Sequence, residues 1–154
     1  MNREMRFCKI VKVQRFEHLK FNLYNFNVFR KSAGGKAIPF FGSSRAMTIL
    51  TAFPYIVGSE LIFFRGMRFF LKIKKQIAGI FILREKQDAL YVSSLGVMLE
   101  FRGHGIATHI LDYCAEIASR LGKKWLDLTV LKMNYAARRL YKSTGFLKKK
   151  ETRW

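Results

Sequence analysis

Half of the 154 residues are hydrophobic and 15% are aromatic, with only 2 Pro, 11 Gly and 2 Cys. That composition excludes a disordered, collagenous or disulfide-stapled polypeptide and suits one packed domain over residues 1–154. The charge is the outlying feature: 29 Lys and Arg against 10 Asp and Glu give a formal net charge of +19, so the expected partner is acidic, whether nucleic acid, anionic lipid, acidic polypeptide or a ligand rich in phosphate.

In chain order, the first twelve residues scatter Arg3, Glu4, Arg6, Lys9 and Lys12 among apolar positions, so they lack the uninterrupted apolar core of an export signal. Residues 7–13 interleave Phe7, Cys8, Ile10, Val11 and Val13 with lysines, which predicts a half-buried strand, and 16–29 carry apolar residues at helical intervals. Gly, Ser and Pro place loops at 31–35 and 39–44. Ser44 is positioned to cap a helix over 46–53 that ends before Pro54. The longest apolar stretch, 46–64, is broken by Pro54, Gly58, Ser59 and Glu60, and its unbroken part is too short to cross a bilayer comfortably.

From residue 61 the texture changes. Residues 61–64, 69–74, 77–84 and 90–97 are β-branched or aromatic runs separated by short polar breaks, the pattern of an antiparallel meander. Residues 105–121 then form a predicted helix with Ile106, Ile110, Leu111, Cys114, Ile117, Ala118 and Leu121 on one stripe and Gly122 as its stop. A strand over 125–131 follows, so 90–131 reads as a βαβ unit with two parallel strands under a right-handed crossover. Cys8 and Cys114 show neither a CxxC spacing nor a disulfide framework. Cys114 lies on the apolar side of its helix, as an inert buried thiol would, and reduced thiols fit the cytoplasm.

The loop entering that helix reads Arg102-Gly103-His104-Gly105-Ile106-Ala107. Small residues let a ligand approach the backbone, and helix-start N–H groups favour an anion, so this loop is a candidate pyrophosphate cradle. It lacks the Gly-Lys-Ser/Thr ending of a P-loop and the Gly-x-Gly-x-x-Gly of a dinucleotide fold, which disfavours ATP and NAD.

Here the sequence resembles the GNAT superfamily of CoA-dependent N-acetyltransferases. Arg102, Gly105 and Ala107 fill the Arg/Gln-x-x-Gly-x-Gly/Ala motif after a strand, and Asn134, Ala137, Leu140-Tyr141 and Gly145-Phe146 fill the later Asn-x-x-Ala-x-x-Leu-Tyr-x-x-x-Gly-Phe block. The resemblance covers residues 77–146 and is only general before them. It implies an α+β, three-layer fold with a mixed, mostly antiparallel central sheet, a splayed parallel pair and flanking helices. It further implies acetyl-CoA as cosubstrate and transfer of its acetyl group to a primary amine, on a protein N-terminus, a lysine or a small molecule, by direct attack.

Carried over by position, backbone groups of Leu95, Gly96 and Val97 line the pantetheine arm. Those of Arg102, Gly103, His104, Gly105, Ile106 and Ala107 hold the pyrophosphate, and Asn134 caps a short helix or touches the cofactor. Tyr141 is the candidate acid for the departing thiolate, with packing of Leu140 and Tyr141 against the sheet as the structural alternative. No general base is legible: Glu85, Asp88 and Glu100 lie near strand ends, while Ser93 and Ser94 stand where some family members carry a carboxylate. His18, His104 and His109 suggest no metal site. The family fold usually continues into a further strand after the Gly-Phe pair, so a short closing hairpin and a homodimer that completes the sheet are expected here. Two alternatives stay open: a non-catalytic basic module on RNA or ribosomal particles, for which no RNA-binding motif is present, and transfer of a longer acyl group.

Overall fold

The computed structural model describes residues 8–14, 17, 20 and 66–149. The helices expected over 16–29 and 46–53 and the strand expected over 61–64 lie outside the described residues.

Five strands form one sheet in sequence order: β1 (Cys8–Lys12), β2 (Met67–Ile73), β3 (Gln76–Glu85), β4 (Ala89–Val97) and β5 (Trp125–Leu128). The first four pair antiparallel, as the meander pattern predicts, and β4 pairs parallel with β5. Helix α1 (Ile106–Arg120) supplies the crossover between that parallel pair, and α2 (Tyr135–Ser143) follows β5.

Alternation along the strands divides the core. Phe69, Leu71, Phe81, Leu83, Leu90 and Val92 lie on the side that receives Ile106, Ile110 and Cys114 of α1, while Val13, Phe70, Ile77, Ile80 and Ile82 pack on the opposite side. Residues 77–83 are buried throughout, so β3 is covered on both faces, which is why its sequence reads as a continuous apolar run. Phe69 and Phe81 are cross-strand partners whose rings stack at 4.8 Å, and Tyr113 of α1 meets both edge-on at 6.1 Å.

Gly79 sets how closely α1 approaches. A Cβ at that position would lie 3.0 Å from Ile110 Cδ1, 3.4 Å from Gly96 O and 3.6 Å from Ile106 Cγ2, so the missing side chain lets the first turns of α1 sit directly on β3 without displacing Ile110. The helix ends as its sequence predicts: Gly122 adopts φ 64° and the chain turns through Leu121 N–H to Ile117 O and Lys123 N–H to Ala118 O.

Two register shifts bend the sheet. Leu71 opposes Gly79 and Lys72 opposes Ile77, so Ala78 is an extra residue in β3; Ile82 opposes Ser94 and Leu83 opposes Val92, so Ser93 is an extra residue in β4. The second shift corrects one expectation. The strand expected over 125–131 is only four residues long, because its pairing with β4 stops at Val92 and Leu128, immediately before the Ser93 bulge turns β4 aside.

Candidate active site

The site begins where the parallel pair separates. Beyond Val92, β4 continues to Val97 paired, among the described strands, with β3 alone. Met98 N–H donates to Ala78 O, so by the alternation of an antiparallel ladder Gly96 faces β3, while the amide and carbonyl groups of Leu95 and Val97 face the gap toward β5. An extended chain bearing amides could pair with that edge as an additional strand. The Tyr91 hydroxyl donates to Thr129 Oγ1 at 3.0 Å and so ties β4 to the residue that follows β5.

At the end of this edge the Arg102 guanidinium donates through Nε to Val97 O at 3.1 Å, fixing the loop to the strand it leaves. The 3-10 turn Leu99–Phe101 lifts the chain, and Gly103 and Gly105 then take left-handed φ values of 78° and 79°. Apart from their own chain neighbours, no atom lies within 4 Å of where their Cβ atoms would stand, so these glycines serve backbone conformation rather than packing. Gly105 caps α1 without a side-chain hydrogen bond, and the first helical bond is His109 N–H to Gly105 O. The N–H groups that open the helix have no acceptor within it and sit at its positive end. Arg102, Gly103, His104 and Gly105 are exposed, Ala107 is half-buried, and the Ile106 side chain is buried while its amide belongs to the first turn.

Asn134 and Tyr141 lie on the segment that follows β5, at the start and in the last turn of α2. Asn134 Oδ1 accepts from Ala137 N–H at 3.2 Å, the capping bond expected of that residue type. The Gly-Phe pair has a structural reason: Gly145, at φ 88°, turns the chain back so that Phe146 N–H donates to Tyr141 O at 2.9 Å and its ring stands 5.7 Å from the Tyr141 ring. Tyr141 is half-buried, and desolvation pushes its phenol above the ordinary value of 10.0. Its neutral form, the one that can give up a proton, therefore persists through physiological pH.

The carboxylates near the strand ends do not join this arrangement in the same way. Glu85 pairs with Lys123 at 3.4 Å and Asp88 with Lys124 at 3.7 Å, both at the β3–β4 turn, the end of β4 remote from the cradle. Glu100 lies exposed in the turn after β4. At the bulge, Ser93 donates to Ile82 O at 3.4 Å and Ser94 is buried. Cys114 is buried, which raises its thiol to about 12, so it is an inert member of the core.

Sequence reasoning missed Gly79 and the Ser93 bulge as parts of the site's frame. A glycine inside an apolar strand was the available signal for the first. For the second, a register shift between two runs of similar residues leaves no mark in composition.

The sequence profile of the Acetyltransferase (GNAT) family matches residues 46–146. The chain belongs to that family. No curated protein matches the sequence significantly. Among solved structures the GNAT fold recurs in a PaiA N-acetyltransferase from Thermoplasma acidophilum in complex with coenzyme A, with a TM-score of 0.73 and 14% identity over 94% of this chain and 92% of that one. An aminoglycoside acetyltransferase from an uncultured soil metagenome gives 0.68 and 15% over 97% and 95%. A ribosomal-protein-alanine N-acetyltransferase from Brucella melitensis gives 0.66 and 16% over 96% and 97%. The mixed sheet with its parallel pair is thus the GNAT fold, and the chain is an acetyl-CoA-dependent acyltransferase.

The cradle fits that cosubstrate. A β4 edge that no described strand pairs, on which Val97 O already accepts from Arg102 Nε, leads directly into two left-handed glycines and the start of α1, and this order of main-chain groups matches the order of amide arm and pyrophosphate in CoA.

Proposed function

We propose that this protein is an N-acetyltransferase that moves the acetyl group of acetyl-CoA to a primary amine, on a protein N-terminus, a lysine or a small molecule. The observation that carries the proposal is the end of the β4–β5 pairing at Val92 and Leu128, followed on the same strand by the uncapped glycine cradle.

Leu95 and Val97 offer backbone partners to the pantetheine arm, and the loop from Arg102 to Ala107 offers amides to the pyrophosphate. Bound acetyl-CoA supplies an activated acetyl thioester. The gap between β4 and β5 orients an incoming amine toward that group, and positioning alone can lower the barrier by several kcal/mol. Tyr141 holds a proton at Oη and passes it to the sulfur that leaves. The amine enters neutral, its proton passing to solvent, which agrees with serines rather than a carboxylate at the bulge. Asn134 orders the start of the helix that carries Tyr141 and has a second role against the cofactor arm. The reading takes residues 1–154 as one domain working in the reducing cytoplasm. Free Cys8 and Cys114 support this, and none of the described helices is long and apolar enough to cross a membrane.

The test is calorimetric titration with acetyl-CoA, with Gly105→Glu as the control, followed by a screen of amine acceptors in which release of free CoA thiol is measured. Binding by the wild type, its loss in the variant and acceptor-dependent thiol release are expected. Thiol release that no amine stimulates would overturn the amine assignment.

A further inference from the structure

The outward face of α2 carries a pattern that acetyl transfer does not use. Tyr135, Arg138, Arg139 and Lys142 stand at i, i+3, i+4 and i+7, which on a helix of 3.6 residues per turn gathers them within an arc of about 100°. Helices normally use this spacing to turn an apolar stripe toward a core. Here all four residues are exposed, while Ala137, Leu140 and Tyr141 on the other side are half-buried.

The charge continues on both flanks, with Lys132 before the helix and Lys148 and Lys149 after it, all exposed, and no Asp or Glu occurs anywhere from 128 to 149. The guanidinium of Arg138 donates to Lys132 O at 3.1 Å, holding the loop between β5 and α2 against the first turn. On α1, by contrast, the outward Glu116 and Arg120 pair with each other at 3.5 Å, which is how a merely solvated face is usually arranged. Cations at i and i+4 with no counter-charge repel one another, so the α2 face costs helix stability rather than adding to it.

Two features select the partner. A row of cations over two turns matches repeated negative charges along a chain better than the charge of one small ligand. The Tyr135 ring, 68% exposed beside that row, presents a flat face on which a base can stack. An acidic peptide gains nothing specific from such a ring, and a helix that lies in a lipid surface carries a strongly apolar face beside its cations, whereas the face of α2 opposite this row holds only the half-buried Ala137, Leu140 and Tyr141.

We infer that the outward face of α2 docks single-stranded nucleic acid, with phosphates on Arg139 and Lys142 and a base stacked on Tyr135. The inference is independent of the acetyl acceptor and stands or fails apart from the transferase reading.

The test is fluorescence anisotropy of a labelled uridine RNA of about 20 nucleotides, long enough to exceed one such site, titrated with the full chain saturated with acetyl-CoA over a KCl series. RNA binding is expected to persist at saturating acetyl-CoA. The double variant Arg139→Gln/Lys142→Gln is expected to flatten the slope of log affinity against log salt by about 1.4, since each lost phosphate contact on a single strand accounts for about 0.7. Tyr135→Ala is expected to weaken binding roughly ten-fold at constant slope. Both variants keep at least the wild-type melting temperature and the wild-type acetyl-CoA affinity. Displacement of the RNA by acetyl-CoA would return the cations to the cofactor site and overturn the inference. So would absent binding, or equal affinity for a polyglutamate peptide with Tyr135→Ala silent.

Discussion

The two described helices of this protein are both amphipathic, yet they are held in place by different means. Helix α1 buries Ile106, Ile110, Leu111, Cys114 and Ala118, and each fully buried Ile or Leu contributes about 1.5–3 kcal/mol, so its position is fixed along its whole length by the core. Helix α2 has no buried residue and belongs to neither described core cluster. Its ends are held instead: Asn134 caps the start, Thr144 Oγ1 bonds Leu140 O at 3.0 Å, and the Gly145–Phe146 turn closes onto Tyr141. The anchored helix carries the proposed anion cradle at its start, where rigid amides are needed, and the tethered helix carries the proposed proton donor. Changes at α1 should therefore divide cleanly into binding and stability effects, whereas changes at α2 should act on turnover and local order.

The largest expected effect attacks the cradle without touching the anchoring of α1. Gly105→Glu brings a carboxylate and a non-glycine residue to a left-handed position whose surroundings are open. Like charges brought together cost several kcal/mol, so acetyl-CoA affinity should fall by about 10³-fold. Calorimetry measures the loss and a thermal melt shows whether the core persists. A variant that unfolds instead would mean that α1 depends on its first turn more than on its buried stripe.

On α2 the strongest effect should be kinetic. Tyr141→Phe keeps the ring packed against Phe146 and removes only the hydroxyl, so kcat should fall about 100-fold, the low end for a lost general acid, with little change in KM. The pH profile gives the sign. Burial raises the folded phenol above 10.0, so wild-type kcat should decline only above that pH as the donor ionises, and the variant should lack this alkaline limb. The same shift makes the protonated phenol's contribution to stability complete below pH 10 and lost as pH rises through the higher folded value. An unchanged kcat would reduce Tyr141 to a packing residue.

Helix α1 and the glycine loop before it were legible in the sequence because period, stop signal and glycine spacing agree over 102–122, and strong local agreement is what lets a pattern be read without its context. The meander was legible for the same reason, each strand being a β-branched or aromatic run bounded by a polar break. What the sequence left hidden is relational. The length of β5 depends on the extra residue at Ser93 in another strand. Likewise, the identity of Gly79 matters only because Ile110 arrives from thirty residues away. Helix α2 was readable as a motif, but its cation row drew no attention because Tyr135, Arg138, Arg139 and Lys142 share a face only once the segment is helical.

Gly79→Ala tests the anchoring of α1 directly. The added methyl would stand 3.0 Å from Ile110 Cδ1, and overpacking of this kind costs about 1–3 kcal/mol, read as a lower midpoint of urea unfolding. Ile110→Val removes the clashing Cδ1. Alone it should cost about 0.5–1.5 kcal/mol, but in the Gly79→Ala background it should cost less or stabilise, a coupling that a double-mutant cycle measures. Strict additivity would show that α1 shifts as a body and that Gly79 does not set its height.

The smallest expected effect concerns the tether of α2. Asn134→Ala removes the acceptor for Ala137 N–H and should cost about 1 kcal/mol. Because neither described core cluster includes this helix, the loss should be local: faster amide exchange in the first turn of α2, with the global melt nearly unchanged. Asn134→Asp restores an acceptor and adds a negative charge at the positive end of the helix, so it should recover protection fully. The two roles proposed for Asn134 separate on that rescue. If Asn134→Asp returns both protection and the KM for acetyl-CoA, capping explains the residue; if it returns protection while KM stays high, the neutral amide itself contacts the cofactor arm, where a carboxylate cannot donate.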